Sequence, residues 1–304
     1  MSTPHDTTAW AQAIARHHAQ LQIGQPLRAA DATLPADALL AEAQAAALQG
    51  ARMLGFIEAD AQCVAQAWWH QTQRLGQFDP LHWPDQALDF QMPTWPRQNA
   101  FAPCPRSLGL YAVLPTAQWV ARMAQAGVPT LQLRFKSDKP SEVATEVRAA
   151  VKAVAGTGAL LFINDHWQHA IDAGAYGVHL GQEDLDSADL MAIRKAGLRL
   201  GLSTHGYAEM MRADALSPSY IAMGAVFPTT LKNMPTAPQG LGRLGAYAKL
   251  MEGHSLVSIG GIDETRFADV RRTGVGSIAV VRALVTAADP EETARDLMRR
   301  LAGI

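Results

Sequence analysis

The hydrophobic positions follow two regimes that change over near residue 105. From Leu108 onward, short apolar runs alternate with stretches of helical spacing. The runs are LGLYAVLP (108–115), TLQLRFK (130–136), ALLFIND (159–165), YGVHLG (176–181), RLGLST (199–204), YIAMGAVFP (220–228), SLVSIGG (255–261) and SIAVVRAL (277–284), and each reads as a buried strand. The segments between them, such as TAQWVARMAQAG, PSEVATEVRAAVKAVAG and DETRFADVRRTG, carry helical patterns and close at a glycine suited to a helix C-terminus. Eight strand and helix units in about 200 residues predict an α/β fold, a compact (β/α)₈ TIM barrel over 106–304. A doubly wound open sheet is the competing arrangement.

The first hundred residues are of another kind. Alanine and glutamine dominate from Ala36 to Gln73, and apolar positions there recur at three- and four-residue spacings, which predicts two or three helices. Between Phe78 and Pro105 the chain turns to proline and aromatics (FDPLHWPDQ, FQMPTWPRQ, FAPCPRS), an irregular connector whose prolines interrupt helix. Trp10, Trp68, Trp69, Trp83 and Trp95 all lie in this part, a content that favours packing over disorder. Residues 1–105 thus read as a smaller, mainly helical region. Its pattern fits an accessory domain, an oligomerisation element or a cover for the barrel's outer helices, and does not choose among them.

Composition narrows the function classes. With 304 residues, 48% of them hydrophobic, the chain can bury one large core and a smaller unit. A net charge of −2 gives no bulk field for nucleic acid or an anionic membrane. The two cysteines, Cys63 and Cys104, form no CxxC pair and no disulfide framework, which suits a reducing compartment. The N-terminus lacks a basic start followed by an apolar core, and no apolar run is long enough to cross a bilayer, so a cytoplasmic protein is expected.

In a barrel the chemistry gathers at the C-terminal ends of the strands, and polar residues there come first. The second strand places Gln132, Arg134 and Lys136 at period two, with Leu131, Leu133 and Phe135 on the other face. A guanidinium and an ammonium on one face suit a diphosphate or triphosphate group. Asn164 and Asp165 end the third strand, and Gln182, Glu183 and Asp184 follow the fourth, so adjacent strand ends offer Asp165 and Asp184 as a carboxylate pair for a divalent cation such as Mg²⁺. The alternative for each acid is to cap the helix that follows it. Ser203, Thr204 and His205 close the fifth strand with groups able to hydrogen-bond a ring or phosphate, whereas His179 reads as a satisfied core residue. The loop at 224–240, rich in proline and hydroxyls and carrying Lys232, has the character of a lid. Gly260 and Gly261 after the seventh strand and Arg282 after the eighth suit a monophosphate cradle of backbone amides. No Ser-His-Asp or Cys-His arrangement stands out.

These motifs, LQLRFK, FIND, GVHLGQEDL, GLSTH, GAVFPTTLK, PQG, SIGGI and AVVRAL, resemble the thiamine-phosphate synthases in order and spacing over roughly 108–301. The resemblance implies a TIM barrel and a transferase of thiamine biosynthesis. Such an enzyme joins 4-amino-5-hydroxymethyl-2-methylpyrimidine diphosphate to 4-methyl-5-(2-hydroxyethyl)thiazole phosphate. It further implies that Gln132, Arg134, Lys136, Asn164 and Lys232 hold the pyrimidine diphosphate, that Ser203 lies near the pyrimidine, and that Asp165 and Asp184 bind Mg²⁺. Gly261, Val281, Arg282 and Thr229 would take the thiazole phosphate, with Arg134, Lys136, Ser203 and Lys232 as the catalytic set. Three positions depart from the family pattern. Leu231 stands where the lid commonly has a second threonine, Phe135 where the family has glutamate, and Arg282 where it has serine. A thiazole tautomerase of similar fold needs no diphosphate clamp, and a non-catalytic sensor of thiamine precursors needs no means of ionising a diphosphate ester.

Overall fold

Eight parallel strands close on themselves because each apolar run pairs with the next and the last returns to the first. The computed structural model describes residues 6–24, 38–95, 97–229 and 236–303. Three helices come first: α1 (Thr7–His17), α2 (Ala38–Met53) and α3 (Glu58–Leu75). The barrel then runs β1 (Gly109–Leu114), α4 (Ala117–Gln125), β2 (Thr130–Leu133), α5 (Pro140–Val154), β3 (Leu160–Asn164), α6 (Trp167–Ala173), β4 (Gly177–Leu180) and α7 (Leu190–Lys195). It continues through β5 (Arg199–Thr204), α8 (Tyr207–Ala215), β6 (Tyr220–Met223), α9 (Gly240–Leu250), β7 (Leu256–Ser258), α10 (Phe267–Arg272), β8 (Ser277–Val280), α11 (Arg282–Val285) and α12 (Pro290–Ala302). Closure is made by β1 against β8, with Gly109 opposite Ser277 and Ala112 opposite Val280. The open sheet is thereby excluded.

Nearly every strand position is buried, since one face meets the helices and the other fills the barrel. Leu110, Ala112 and Leu114 pack outward with the helical layer, whereas Tyr111 and Val113 turn inward onto Phe162, Tyr220, Ala222, Val257 and Ala279. The helices whose patterns ended at glycine stop as read, with Gly127, Gly156 and Gly274 all in left-handed backbone. Strand ends are shorter than the apolar runs suggested. The ladder of β2 stops at Leu133, where Arg134 N still donates to Leu114 O at 2.8 Å, so Arg134 and Lys136 stand on the loop beyond the strand. Likewise β6 ends at Met223 and β8 at Val280, and Arg282 opens the short α11. In each case hydrophobicity runs on past the last paired residue into the segment that follows.

The N-terminal helices dock on the barrel through aromatic and polar contacts. Trp68 and Phe56 are fully buried, each stabilising the packed state by about 1.5–3 kcal/mol over an exposed ring. Trp83 Nε1 donates to Tyr207 Oη on α8 at 2.9 Å. Arg243 of α9, itself buried, donates to the carbonyls of Leu21 (2.8 Å) and Leu54 (3.0 Å) and lies 3.5 Å over the Phe56 ring. The connector then laces the N-terminal rim of the barrel. Phe101 N donates to Ser217 O, Ser219 Oγ to Ala102 O, Ser255 Oγ to Pro105 O and Ser107 Oγ to Gly276 O, all just ahead of β6, β7 and β8. Arg97 completes the strap with a buried ion pair to Asp214 at 2.8 Å, and Asp214 also meets His254 Nε2 at 2.7 Å. Among the described residues no helix is long and apolar enough to cross a membrane.

Candidate active site

The opposite rim holds a cavity of about 940 Å³, lined by residues from the C-terminal ends of the strands and the loops after them. On one side β2 and its loop present Gln132, Arg134 and Lys136. Gln132 is buried in the barrel mouth, Arg134 is half-buried and Lys136 is exposed, so the positive charges grade from wall to entrance. Phe135 turns the other way, against the outer hydrophobic layer, as its parity required. Its carbonyl receives His166 Nε2 at 3.3 Å.

Next to this clamp stand the acids. Asn164 is buried at the end of β3, and Asp165 follows it with φ +62°, a left-handed conformation uncommon for residues other than glycine. Neither Asp165 nor Asp184 serves as a helix cap. The N-terminus of α6 has no side-chain cap, and Asp189 caps α7 by accepting from Ala192 N at 2.9 Å. Asp184 instead accepts from Gly181 N at 2.7 Å, which fixes one carboxylate oxygen at the cavity edge. Asp165 retains solvent access on its own surface, yet the crowded cavity wall around it penalises its charge. That desolvation, with the neighbouring Asp184 carboxylate, lifts its carboxyl above the ordinary aspartate range against the pull of His166, Arg134 and Lys136. Two carboxylates offered from adjacent strand ends are hard oxygen donors that fit a hard divalent cation. Among the described residues no group of three or more His, Cys, Asp or Glu forms a protein-only cage, so further ligands would come from substrate and water.

From β5 the cavity receives Ser203, Thr204 and His205. Thr204 Oγ1 is spent on Ala222 O at 3.0 Å, and His205 Nδ1 on Glu209 of α8 at 2.6 Å. Ser203 differs. Its Oγ lies 2.8 Å from His179 Nε2, His179 Nδ1 lies 2.6 Å from Tyr220 Oη, and Tyr220 Oη lies 2.7 Å from Tyr111 Oη, which accepts from Gln132 Nε2 at 3.0 Å. Burial pushes both tyrosine hydroxyls upward, so both remain protonated donors. Donation can then run in one direction from Gln132 through Tyr111, Tyr220 and His179 to Ser203, leaving the serine proton to point into the cavity. His179 is a satisfied core residue, as read, and it also orients Ser203.

Across the cavity, Gly260, Gly261, Val281 and Arg282 line the far wall with Thr229. Both glycines have positive φ and sit hard against the root of the 224–240 loop. An added Cβ would meet Ala225 Cα at 2.5 Å from Gly260 and Pro228 O at 2.5 Å from Gly261. Lys232, with Thr230 and Leu231, lies outside the described residues. The feet of that loop are pinned, since Gln239 N donates to Ala225 O and Gly240 N to Val226 O, both at 2.9 Å. The sequence reading missed Arg266, which lines this wall, donates to Gly261 O and lies 4.3 Å over the Phe227 ring. Its signal was available in the DETR segment, where a cation follows a glycine pair by five positions.

Comparison with known proteins identifies the family. The family model for thiamine monophosphate synthase matches residues 110–284. The chain belongs to this family. The thiamine-phosphate synthase of Neisseria meningitidis serogroup A is 57% identical over 191 residues, covering 63% of this chain and 93% of the relative. That of Cronobacter sakazakii is 52% identical over 204 residues, covering 67% and 97%. Among solved structures, the thiamine phosphate pyrophosphorylase from Pyrococcus furiosus superposes with a TM-score of 0.57 at 27% identity, over 64% of this chain and 98% of that one. The protein is therefore an enzyme of thiamine biosynthesis, a transferase. The relatives are spanned almost end to end, and the N-terminal third of this chain lies beyond them.

Proposed function

We propose that this cavity joins 4-amino-5-hydroxymethyl-2-methylpyrimidine diphosphate to 4-methyl-5-(2-hydroxyethyl)thiazole phosphate, releasing thiamine phosphate and diphosphate. The observation that carries the assignment is the meeting of two anion stations in one cavity. Arg134 and Lys136 face the acid pair Asp165 and Asp184 on one side, and the Gly260–Gly261 backbone faces the start of α11 on the other. Residues 106–304 are the synthase unit in this reading, and 1–105 an appended one.

Arg134, Lys136, Asn164 and Lys232 hold the diphosphate, while Gln132 and Ser203, joined through the buried relay, orient the pyrimidine ring. Gly261, Val281 and Arg282 take the thiazole phosphate, helped by Thr229, and this sets the thiazole nitrogen toward the pyrimidine methylene. The methylene C–O bond breaks with its electron pair leaving on diphosphate. The electron-rich pyrimidine stabilises the methylene cation, and the thiazole nitrogen lone pair forms the new C–N bond. Arg134 and Lys136 stabilise the charge that grows on the departing oxygens, in a wall arranged before substrate arrives. Asp165 and Asp184 would hold Mg²⁺, which when bound neutralises part of the diphosphate charge. No side chain acts as a nucleophile in this sequence. An isomerase acting on a thiazole phosphate alone would have no use for this clamp.

The test is to mix purified protein with both substrates and Mg²⁺ and to follow both products. Stoichiometric thiamine phosphate and diphosphate are expected, with turnover reduced about 10²-fold or more in Asp165→Ala. Folded wild-type protein that binds the precursors and makes neither product would overturn the assignment.

A further inference from the structure

The helix α8 starts without a cap of its own. Its N-cap position is Gly206, which has no side chain to receive the first helical amides. The missing acceptor comes from the N-terminal region, 148 residues earlier in the chain. Asp60 of α3 accepts from Ala208 N through Oδ1 at 2.9 Å. Its carboxylate fills the space a side chain at residue 206 would need, because a Cβ built on Gly206 would lie 2.0 Å from Asp60 Oδ2. Asp60 is only 3% exposed, so solvent cannot replace it there. A carboxylate at a helix N-terminus also complements the partial positive charge of the exposed amides.

The turn held this way is the one that carries the β5 end of the cavity. Ser203, Thr204 and His205 line the cavity and lead directly into Gly206. His205 is tied back to the same helix, its backbone N donating to Glu209 Oε2 at 2.9 Å and its Nδ1 meeting that oxygen at 2.6 Å. The position of Ser203 thus has two determinants. The relay through His179 fixes its hydroxyl from inside the barrel, and the α8 cap fixes its backbone from outside.

We infer that Asp60 is a positioning residue for the pyrimidine side of the active site, supplying from the appended region the helix cap that the barrel lacks. The N-terminal helices then act on catalysis through one turn, not only on stability. This rests on the assignment of Ser203 to the pyrimidine. The far wall, built from the ends of β7 and β8, has no contact with Asp60 and stays outside its influence.

The experiment uses the full chain and measures kcat and both KM values well below the melting temperature of every variant. Asp60→Ala is expected to raise KM for the pyrimidine diphosphate about three- to tenfold, the loss of one helix cap expressed as affinity, with KM for the thiazole phosphate unchanged. Asp60→Asn, which keeps an acceptor oxygen, should restore most of the effect. Asp60→Ala combined with Gly206→Ser should also restore it, since the vacated space admits a serine cap in the chain's own helix. Unchanged KM values in Asp60→Ala with only a lower melting temperature would overturn the inference, as would equal rises for both substrates. Ser203→Ala separates the two levels. If it leaves the pyrimidine diphosphate KM unchanged, the site assignment fails; if it raises that KM while Asp60→Ala does not, only the Asp60 inference fails.

Discussion

The two rims of the barrel are built from the same strands and do opposite things with their polar groups. At the C-terminal rim, Arg134, Lys136, Asp165 and Asp184 converge on a cavity with part of their charge uncompensated, and Asp165 pays for that crowding with a raised carboxyl pKa. At the N-terminal rim, Arg97, Asp214 and His254 are closed on one another and on backbone, and nothing is left over for a ligand. The contrast shows that charge alone does not mark an active site in this protein. What distinguishes the two rims is whether the geometry leaves charge for something else to complete. The appended region sharpens the point, because residues 101–107 lace the closed rim while Asp60 and Trp83 reach the start of α8 at the open one.

Breaking the closed rim should cost stability and spare chemistry. Arg97→Ala leaves Asp214 buried at 2% exposure with only His254 beside it, and is expected to destabilise the protein by about 3–5 kcal/mol while kcat at low temperature stays within twofold. Denaturant unfolding and steady-state kinetics on the same preparation check both halves. A matching loss of kcat would erase the division between rims.

A second measurement concerns the appended region alone. His18 is buried against Trp68 and Trp83 with its Nε2 at 3.2 Å from Pro80 O, and burial lowers its pKa from 6.5 to about 4. The folded protein therefore keeps His18 neutral where the unfolded chain would protonate it. Stability should fall as pH drops from about 6.5 to about 4, by about 2–3 kcal/mol in total, and this contribution should level off below that window. Unfolding curves across pH for wild type and His18→Gln isolate it, since the variant should lose that slope. The cavity residues are not involved, so the KM values at pH 7 should not move.

The smallest expected effect lies between the rims. Tyr220→Phe removes the middle of the relay, taking one hydrogen bond from Tyr111 and one from His179. The cost should be about 1–2 kcal/mol. Both stability and the pyrimidine diphosphate KM should shift, because this hydroxyl belongs to the core and supports the site at once. A change in stability without one in KM would place the relay wholly on the structural side.

Much of this was legible in the chain. The eight apolar runs located all eight strands, and the polar residues at their ends named most of the cavity wall, because both signals are local: a strand needs a few consecutive apolar residues and its polar end comes next. Strand limits were less legible, since Phe135 and Val226 continue the hydrophobic run beyond the last paired residue. The pairs Tyr111 with Tyr220, Arg97 with Asp214 and Asp60 with Ala208 left no trace in sequence, being 109, 117 and 148 residues apart and without periodicity. Asp60 in particular reads as one more acid near the start of a helix. Only the fold reveals that it serves the start of another.

The contact between Arg243 and the Leu21 carbonyl also sets a timetable. The two residues are 222 positions apart, so at ordinary translation rates of about 5–20 residues per second the first helices leave the ribosome about 10–45 s before α9 exists to receive them. Through that interval the Phe56 ring has Trp83 and, later, Tyr207 beside it but not the Arg243 guanidinium. The appended region is made first and is completed only when α9 follows, so a nascent chain halted before residue 243 lacks the cation that closes over the Phe56 ring.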